Sequence, residues 1–221
     1  MDDVTFIVTT RDRPIWLETC LQSILATAAT VDVESRVLVI DDASRVPAQE
    51  VCERAGVEHR RLGPVGCSAA RIAGYSEVTS QYVAFIDDDD VLLPRWMKLH
   101  LELIEQGHDV VSGSYWETDA RLKQTKQVTL GLATFEGLKS GYVPINDGSL
   151  HRVSALSGIS WRPDRDNVMM MSMWLALAAK GKSFATINEP VWLHRLHASN
   201  LSSHLDESDA RFRAEAIAEW S

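Results

Sequence analysis

The chain has 221 residues, 45% of them apolar and 24% charged, with a net charge of −9. That length can bury one substantial core, and the acidic balance argues against nucleic acid as a partner and against a basic membrane-binding surface. No apolar run approaches the ~18 residues of a membrane span, so no membrane insertion is expected. Met1-Asp2-Asp3 leads straight into Val4-Thr5-Phe6-Ile7-Val8 without the basic leader of a secretory signal. Cys20, Cys52 and Cys67 form no CxxC pair and read as reduced thiols, which points to a cytoplasmic protein.

In chain order, Val4–Thr9 is a buried strand, and Pro14 opens a helix running to about Ala28. Val37–Ile40 is a second strand, Pro47–Ala55 a helix, Val57–Leu62 a third strand and Ser68–Val78 a helix. Tyr82–Ile86 is a fourth strand, Pro94–Gln106 a helix and Val110–Tyr115 a fifth strand. Strands alternating with helices predict an α/β fold, with a mostly parallel central sheet covered on both faces. Further on, Asp119–Thr129 is expected as a hairpin, Ala133–Ser140 as a helix and Ser149–Arg152 as extended chain. Asn167–Lys180 is a clear helix stopped by Gly181. Lys182–Asn188 and Val191–Leu196 are expected as two strands flanking Glu189-Pro190, and Glu207–Trp220 as a charged closing helix. The pattern reads as one domain over residues 1–221. A nucleotide-binding half, about 1–116, merges into an acceptor-binding half, about 117–221, without a linker.

Ligands of open α/β sheets bind beyond the carboxyl ends of the strands. Those ends carry Thr9-Thr10-Arg11-Asp12, Asp41-Asp42-Ala43-Ser44 and Asp87-Asp88-Asp89-Asp90. Four consecutive carboxylates repel one another unless a cation or hydrogen-bond donors compensate them. A hard divalent cation shared with a diphosphate meets that need. The plainer reading is a solvated acidic turn before a helix, where carboxylates also suit the dipole. The matching Asp41-Asp42 on a second strand weakens it.

Several segments together resemble the family 2 glycosyltransferases of GT-A fold. They are VTFIVTTRDRPIWL (4–17), VLVIDDAS (37–44), GPVGCSAARIAG (63–74), YVAFIDDDDVLLPRWM (82–97), WLALAAKGKSF (174–184) and PVWLHRLHASNLS (190–202). The resemblance implies sugar transfer from a nucleoside diphosphate donor, usually with inversion, assisted by Mg²⁺ or Mn²⁺. It makes Asp87-x-Asp89 the DxD motif, with Asp89 the direct metal ligand, Asp87 beside it and Asp88 towards the ribose. Asp42 or Asp41 would take a hydrogen bond from the base, Thr9 would line the base pocket, and Arg11 belongs to the same donor-binding rim. Arg71 matches an Arg near base and phosphates, although Ile72 stands where the family has Asn. His194-Arg195-Leu196-His197 resembles a C-terminal segment that folds over the donor. There Arg195 would hold phosphate oxygens, His197 would approach the metal, and Asn200 and Ser202 would close the loop.

The departure lies at Met169-Met170, where counting back from Gly181 places the family's Glu-Asp pair with its general base. A thioether accepts no proton at neutral pH. Asp166 is the first substitute, with Asp164, Asp147 and His151 behind it. Otherwise the acceptor needs little help, or the chain binds nucleotide sugar without transferring it. The methionine stretch reads either as adaptable packing or, with Trp161 and Met170, as an apolar acceptor surface. A short chain without an anchor suggests a small soluble acceptor, as in tailoring of a secondary metabolite. A nucleotidyltransferase is disfavoured because Thr9–Pro14 is no Gly-rich phosphate loop. Oligomeric state, a homodimer included, is left open.

Overall fold

The computed structural model describes residues 3–141, 145, 148–162, 168–200 and 207–219. Nine strands form one sheet in the order β3-β2-β1-β4-β8-β6-β9-β5, with β7 paired to β6. Its first half is parallel: β1 (Val4–Thr10) lies between β2 (Ser35–Asp42) and β4 (Tyr82–Asp87), and β3 (Glu58–Leu62) edges β2. All seven residues of β1 are buried, as a central strand covered on both faces requires. Phe6 and Val8, with Ala84 and Ile86 of β4, face a core closed by α1 (Pro14–Ala28), α2 (Gln49–Ala55) and α4 (Trp96–Ile104). Ile7, Val83 and Phe85 face the opposite core, under α3 (Cys67–Tyr75), α5 (Phe135–Lys139), α6 (Met169–Ala179) and α7 (Glu207–Ala218). This alternation is the two-residue period of a strand. Gly74 lets α3 lie close on the sheet, since a Cβ there would come within 2.7 Å of Ile7 Cγ2.

The second half is mixed. β8 (Leu150–Arg152) runs antiparallel to β4 and to β6 (Val110–Thr118), while β6 and β9 (Phe184–Arg195) are parallel. β6 runs through residue 116, so the sheet passes without a break across the expected division between halves. The polar segment 119–129 supplies the turn and one arm of a hairpin, β7 (Gln124–Val128), whose other arm is the end of β6. Two expected strands around Glu189-Pro190 are one strand, β9. Its register against β6 shifts on either side of Ser114, and Pro190 sits opposite that residue. A bulge is where a strand tolerates a residue lacking N–H.

β5, only Val91–Leu92, pairs antiparallel with Trp192 and Leu193 of β9 and is too short for any periodic signal. It fixes the acidic turn against the end of β9. Among the described residues, no helix is long and apolar enough to cross a membrane.

Candidate functional site

The carboxyl ends of β1, β2 and β4 meet at one rim, and Thr10 pairs with Asp41 across β1 and β2. Pro14 sets the first turn of α1. The chain reaches it through Asp12, whose φ of 58° places a non-glycine residue in the left-handed region. Asp12 is held there because its N–H donates to Ser44 Oγ and its carboxylate accepts from Arg45 N at 2.7 Å. Ala43, at φ 57°, is a second such residue on the same rim. Left-handed non-glycine residues cluster where function over-determines the backbone.

Asp41 and Asp42 part company at the end of β2. Asp41 turns inward, fully buried, and accepts from Ser44 N at 2.7 Å, Ala48 N at 3.0 Å and Arg61 Nη1 at 3.0 Å. Burial opposes its charge, but these donors outweigh it and hold its pKa below the ordinary carboxylate value. It is the anchor of the β2–α2 loop rather than a group facing a ligand. Asp42 points across the rim to the start of α3, accepting from Val65 N at 2.7 Å, Gly66 N at 3.2 Å and Arg11 Nη1 at 3.4 Å. Thr9 lies beside this segment, its hydroxyl 3.5 Å from Cys67 Sγ.

The tetrad is divided differently from its expected division. Asp87, with 32% of its side chain exposed, is paired with Arg71 of α3. Asp88 turns inward and accepts from Thr10 Oγ1 at 2.6 Å and Arg13 Nη1 at 3.0 Å. Burial and the neighbouring Asp89 push its pKa to about 7. That leaves Asp87 rather than Asp88 as the exposed carboxylate of the tetrad. Asp89 Oδ2 contacts both Arg13 Nη1 and His197 Nε2 at 2.7 Å. Asp90 Oδ1 lies 3.2 Å from both His194 Nδ1 and the Arg195 N–H, which ties the turn to β9. Burial works against a charge on His194, yet the bond to Asp90 and the surrounding carboxylates raise its pKa to about 9.

Arg195 is buried and turned onto backbone carbonyls. Its Nε donates to Asp89 O and its Nη1 to Ala120 O, both at 2.8 Å, so it braces the acidic turn from behind. Asn200 closes the loop as expected: its Oδ1 accepts from His197 N at 2.6 Å and its Nδ2 donates to Arg195 O at 3.1 Å. Trp16 of α1 gathers this region, with the Arg13 and Arg195 guanidinium carbons 5.5 and 5.2 Å from its ring and the His197 ring at 4.4 Å.

The expected acceptor side is placed differently. His151 is fully buried in β8, paired with Val83 near the opposite end of β4, and its Nε2 accepts from Trp174 Nε1 at 3.2 Å. It is a core histidine, so its candidacy as a base is withdrawn. Met169 and Met170 are 1% and 6% exposed, and Met170 packs in the core under α6 instead of lining an acceptor surface. Trp161 packs on Tyr75 and Phe85, with ring centroids 4.8 and 5.9 Å away. Asp166, Asp164, Asp147 and Ser202 lie outside the described residues.

Burial lowers the pKa of His151 to about 4 and that of His100 to about 3. Both rings are neutral in the fold and take up a proton only when unfolding returns them to an ordinary value near 6.5. Below that pH the unfolded chain binds more protons. Through these two rings stability is lost as pH falls from about 6.5 towards 4, by up to ~1.4 kcal/mol per pH unit for each ring, while the raised pKa values of Asp88 and Asp90 act in the opposite sense over much of that range. The histidine share is therefore read as a difference: between pH 7 and pH 5, His151→Gln should lose less melting temperature, or gain more, than wild type, with about half of the histidine contribution removed. An unchanged slope in that variant would contradict the assignment.

The pattern of the family described as glycosyl transferase family 2 matches residues 5–157. The chain belongs to that family. Glycosyltransferase GlyA of Streptococcus pneumoniae serotype 4 is 31% identical over 121 residues, which cover 52% of this chain and 17% of the relative. Among solved structures, S. aureus TarS 1-349 is similar with a TM-score of 0.76 at 14% identity, covering 99% of this chain and 65% of the other. Glucosyl-3-phosphoglycerate synthase from Mycobacterium tuberculosis, in complex with Mn²⁺, UDP and glucosyl-3-phosphoglycerate, gives 0.69 at 14% identity, covering 99% and 80%. At such identities these likenesses establish the fold, which is the GT-A fold expected from the sequence.

Arg13, Thr10, Trp16 and His194 carry contacts that the sequence reading gave no role. Arg13 is the non-helical residue that precedes α1 and Trp16 lies in its first turn, and no local periodicity marked either.

Proposed function

We propose that the chain is a metal-dependent glycosyltransferase that moves a sugar, with inversion, from a nucleoside diphosphate to a small soluble acceptor. The observation that carries this reading is the contact of Asp89 with His197 at the rim of a family 2 fold. Among the described residues, no three His, Cys, Asp or Glu side chains form a ready-made metal cage. A carboxylate beside an imidazole nonetheless suits Mn²⁺, and the carboxylate alone suits Mg²⁺; either ion can take one or two protein ligands and complete its shell with phosphate oxygens and water. Asp89 and His197 would hold the ion, with the exposed Asp87 beside them. When bound, it supplies charge neutralisation for the departing diphosphate.

The chain's own residues divide the remaining work. Asp42, fixed by two backbone amides, offers its carboxylate to the base, with Thr9 and Arg11 alongside. Asp87, held by Arg71, is the tetrad's group for the ribose or the ion. Arg195, Asn200 and Trp16 fix the loop that carries His197. In the transfer, the acceptor atom forms a bond to the anomeric carbon while the bond from that carbon to the diphosphate oxygen breaks. The electron pair leaves with the diphosphate, and the acceptor's proton passes to a base.

A second reading is a nucleotide-sugar-binding protein without turnover. Its support is the burial of Met169 and Met170 where the resemblance places the base. Assays of UDP-, dTDP- and GDP-sugars with Mn²⁺ separate the two. Transfer, or slow metal-dependent hydrolysis of any donor, supports the enzyme; binding without either product supports the second reading.

A further inference from the structure

Arg13 stands where a cation would be expected to work. Its Nη1 lies 2.7 Å from Asp89 Oδ2 and 3.0 Å from Asp88 Oδ1, and its Nη2 donates to Ser199 O at 3.2 Å. Only about a quarter of its side chain is exposed, at 26%. The Asp89 oxygen it holds is the one that contacts His197. We infer that Arg13 is the resident counter-cation of the acidic turn, and that its hold on Asp89 makes metal uptake depend on a bound nucleoside diphosphate. The inference rests on the metal-dependent reading above.

A divalent ion and a guanidinium cannot share one carboxylate oxygen without close repulsion between like charges. For the ion to bind between Asp89 and His197, Arg13 must give up Asp89. Without nucleotide, little is gained to offset that loss. A diphosphate supplies the missing anionic charge. Its oxygens can take the guanidinium in paired hydrogen bonds, for which the planar fork of arginine is suited, and they also complete the metal shell. Arg13 retains Asp88 as a second anchor, so it can turn from Asp89 without leaving the rim. Linkage is reciprocal: whatever factor nucleotide adds to metal affinity, metal adds to nucleotide affinity.

The test is Mn²⁺ binding, read from the electron paramagnetic resonance signal of the free ion, with and without UDP or GDP. Wild type is compared with Arg13→Gln and Arg13→Met, which remove the charge, and with Arg13→Lys, which keeps it. Without nucleotide, the neutral variants should bind Mn²⁺ on the order of tenfold more tightly than wild type, and Arg13→Lys should stay near wild type. Nucleotide should then tighten Mn²⁺ binding less in the neutral variants than in wild type. Neutral variants that bind Mn²⁺ no better than wild type without nucleotide overturn the role of Arg13, while nucleotide-dependent Mn²⁺ binding in wild type leaves the metal reading standing. Absence of Mn²⁺ binding in every protein, with nucleotide present, overturns both.

Discussion

Asp89→Asn is expected to lower kcat/KM for sugar transfer on the order of 10³-fold or more. Asp89 is the tetrad residue whose carboxylate touches His197, so its charge is what the pair offers a divalent ion. Losing metal stabilisation of the leaving diphosphate removes several kcal/mol from the transition state, and each ~1.4 kcal/mol is tenfold in rate. The fold should tolerate the change. Asparagine keeps the shape, and removing one of four adjacent carboxylates relieves the repulsion that helps push Asp88 to about 7. Steady-state kinetics across a Mn²⁺ titration, with a thermal melt as control, check this. Near wild-type kcat/KM with unchanged metal dependence would remove Asp89 from the metal site.

The second large effect concerns the base. His151 is excluded by its place in the core and by a pKa near 4, and Met169-Met170 by chemistry and burial. The carboxylates nearest in sequence to the start of α6 are Asp164 and Asp166, the latter three residues before Met169. Asp166→Asn is expected to lower kcat by ~10²–10⁴-fold, the range of general acid–base catalysis. Donor affinity should be little changed, because the proposed donor groups Asp42, Arg71 and Asp87 are carried by β2, α3 and β4. A wild-type kcat in the variant would pass the role to Asp164 or Asp147, or to an acceptor that needs no base.

How legible the fold was depends on whether a local pattern carried the information. β1, β4 and α1 were plain because β-branched runs and an opening proline are local signals. β9 reads in sequence as two strands because a proline usually interrupts a strand, and only the bulge opposite Ser114 explains why Pro190 does not end this one. β5 has two residues and no period, yet it joins the acidic turn to β9.

The site followed the same rule. That Asp87–Asp90 form an acidic rim could be read directly, but their separate roles could not. Asp88 is set by Thr10 and Arg13, and Asp90 by His194 and the Arg195 amide, partners far away along the chain. Arg195 was assigned to phosphate by resemblance, whereas its environment turns it onto the carbonyls of Asp89 and Ala120. Asp41 and Asp42 looked equivalent in sequence, and adjacent strand residues point to opposite faces. One therefore became an anchor and the other a rim carboxylate.

Calorimetric titration of UDP and GDP into the protein, first with Mn²⁺ and then with a chelator, tests the central claim most directly. Metal-dependent binding of at least one nucleotide, weakened in Asp89→Asn, is the predicted result. No binding of either nucleotide with Mn²⁺ present, or equal binding with and without the metal, would contradict it.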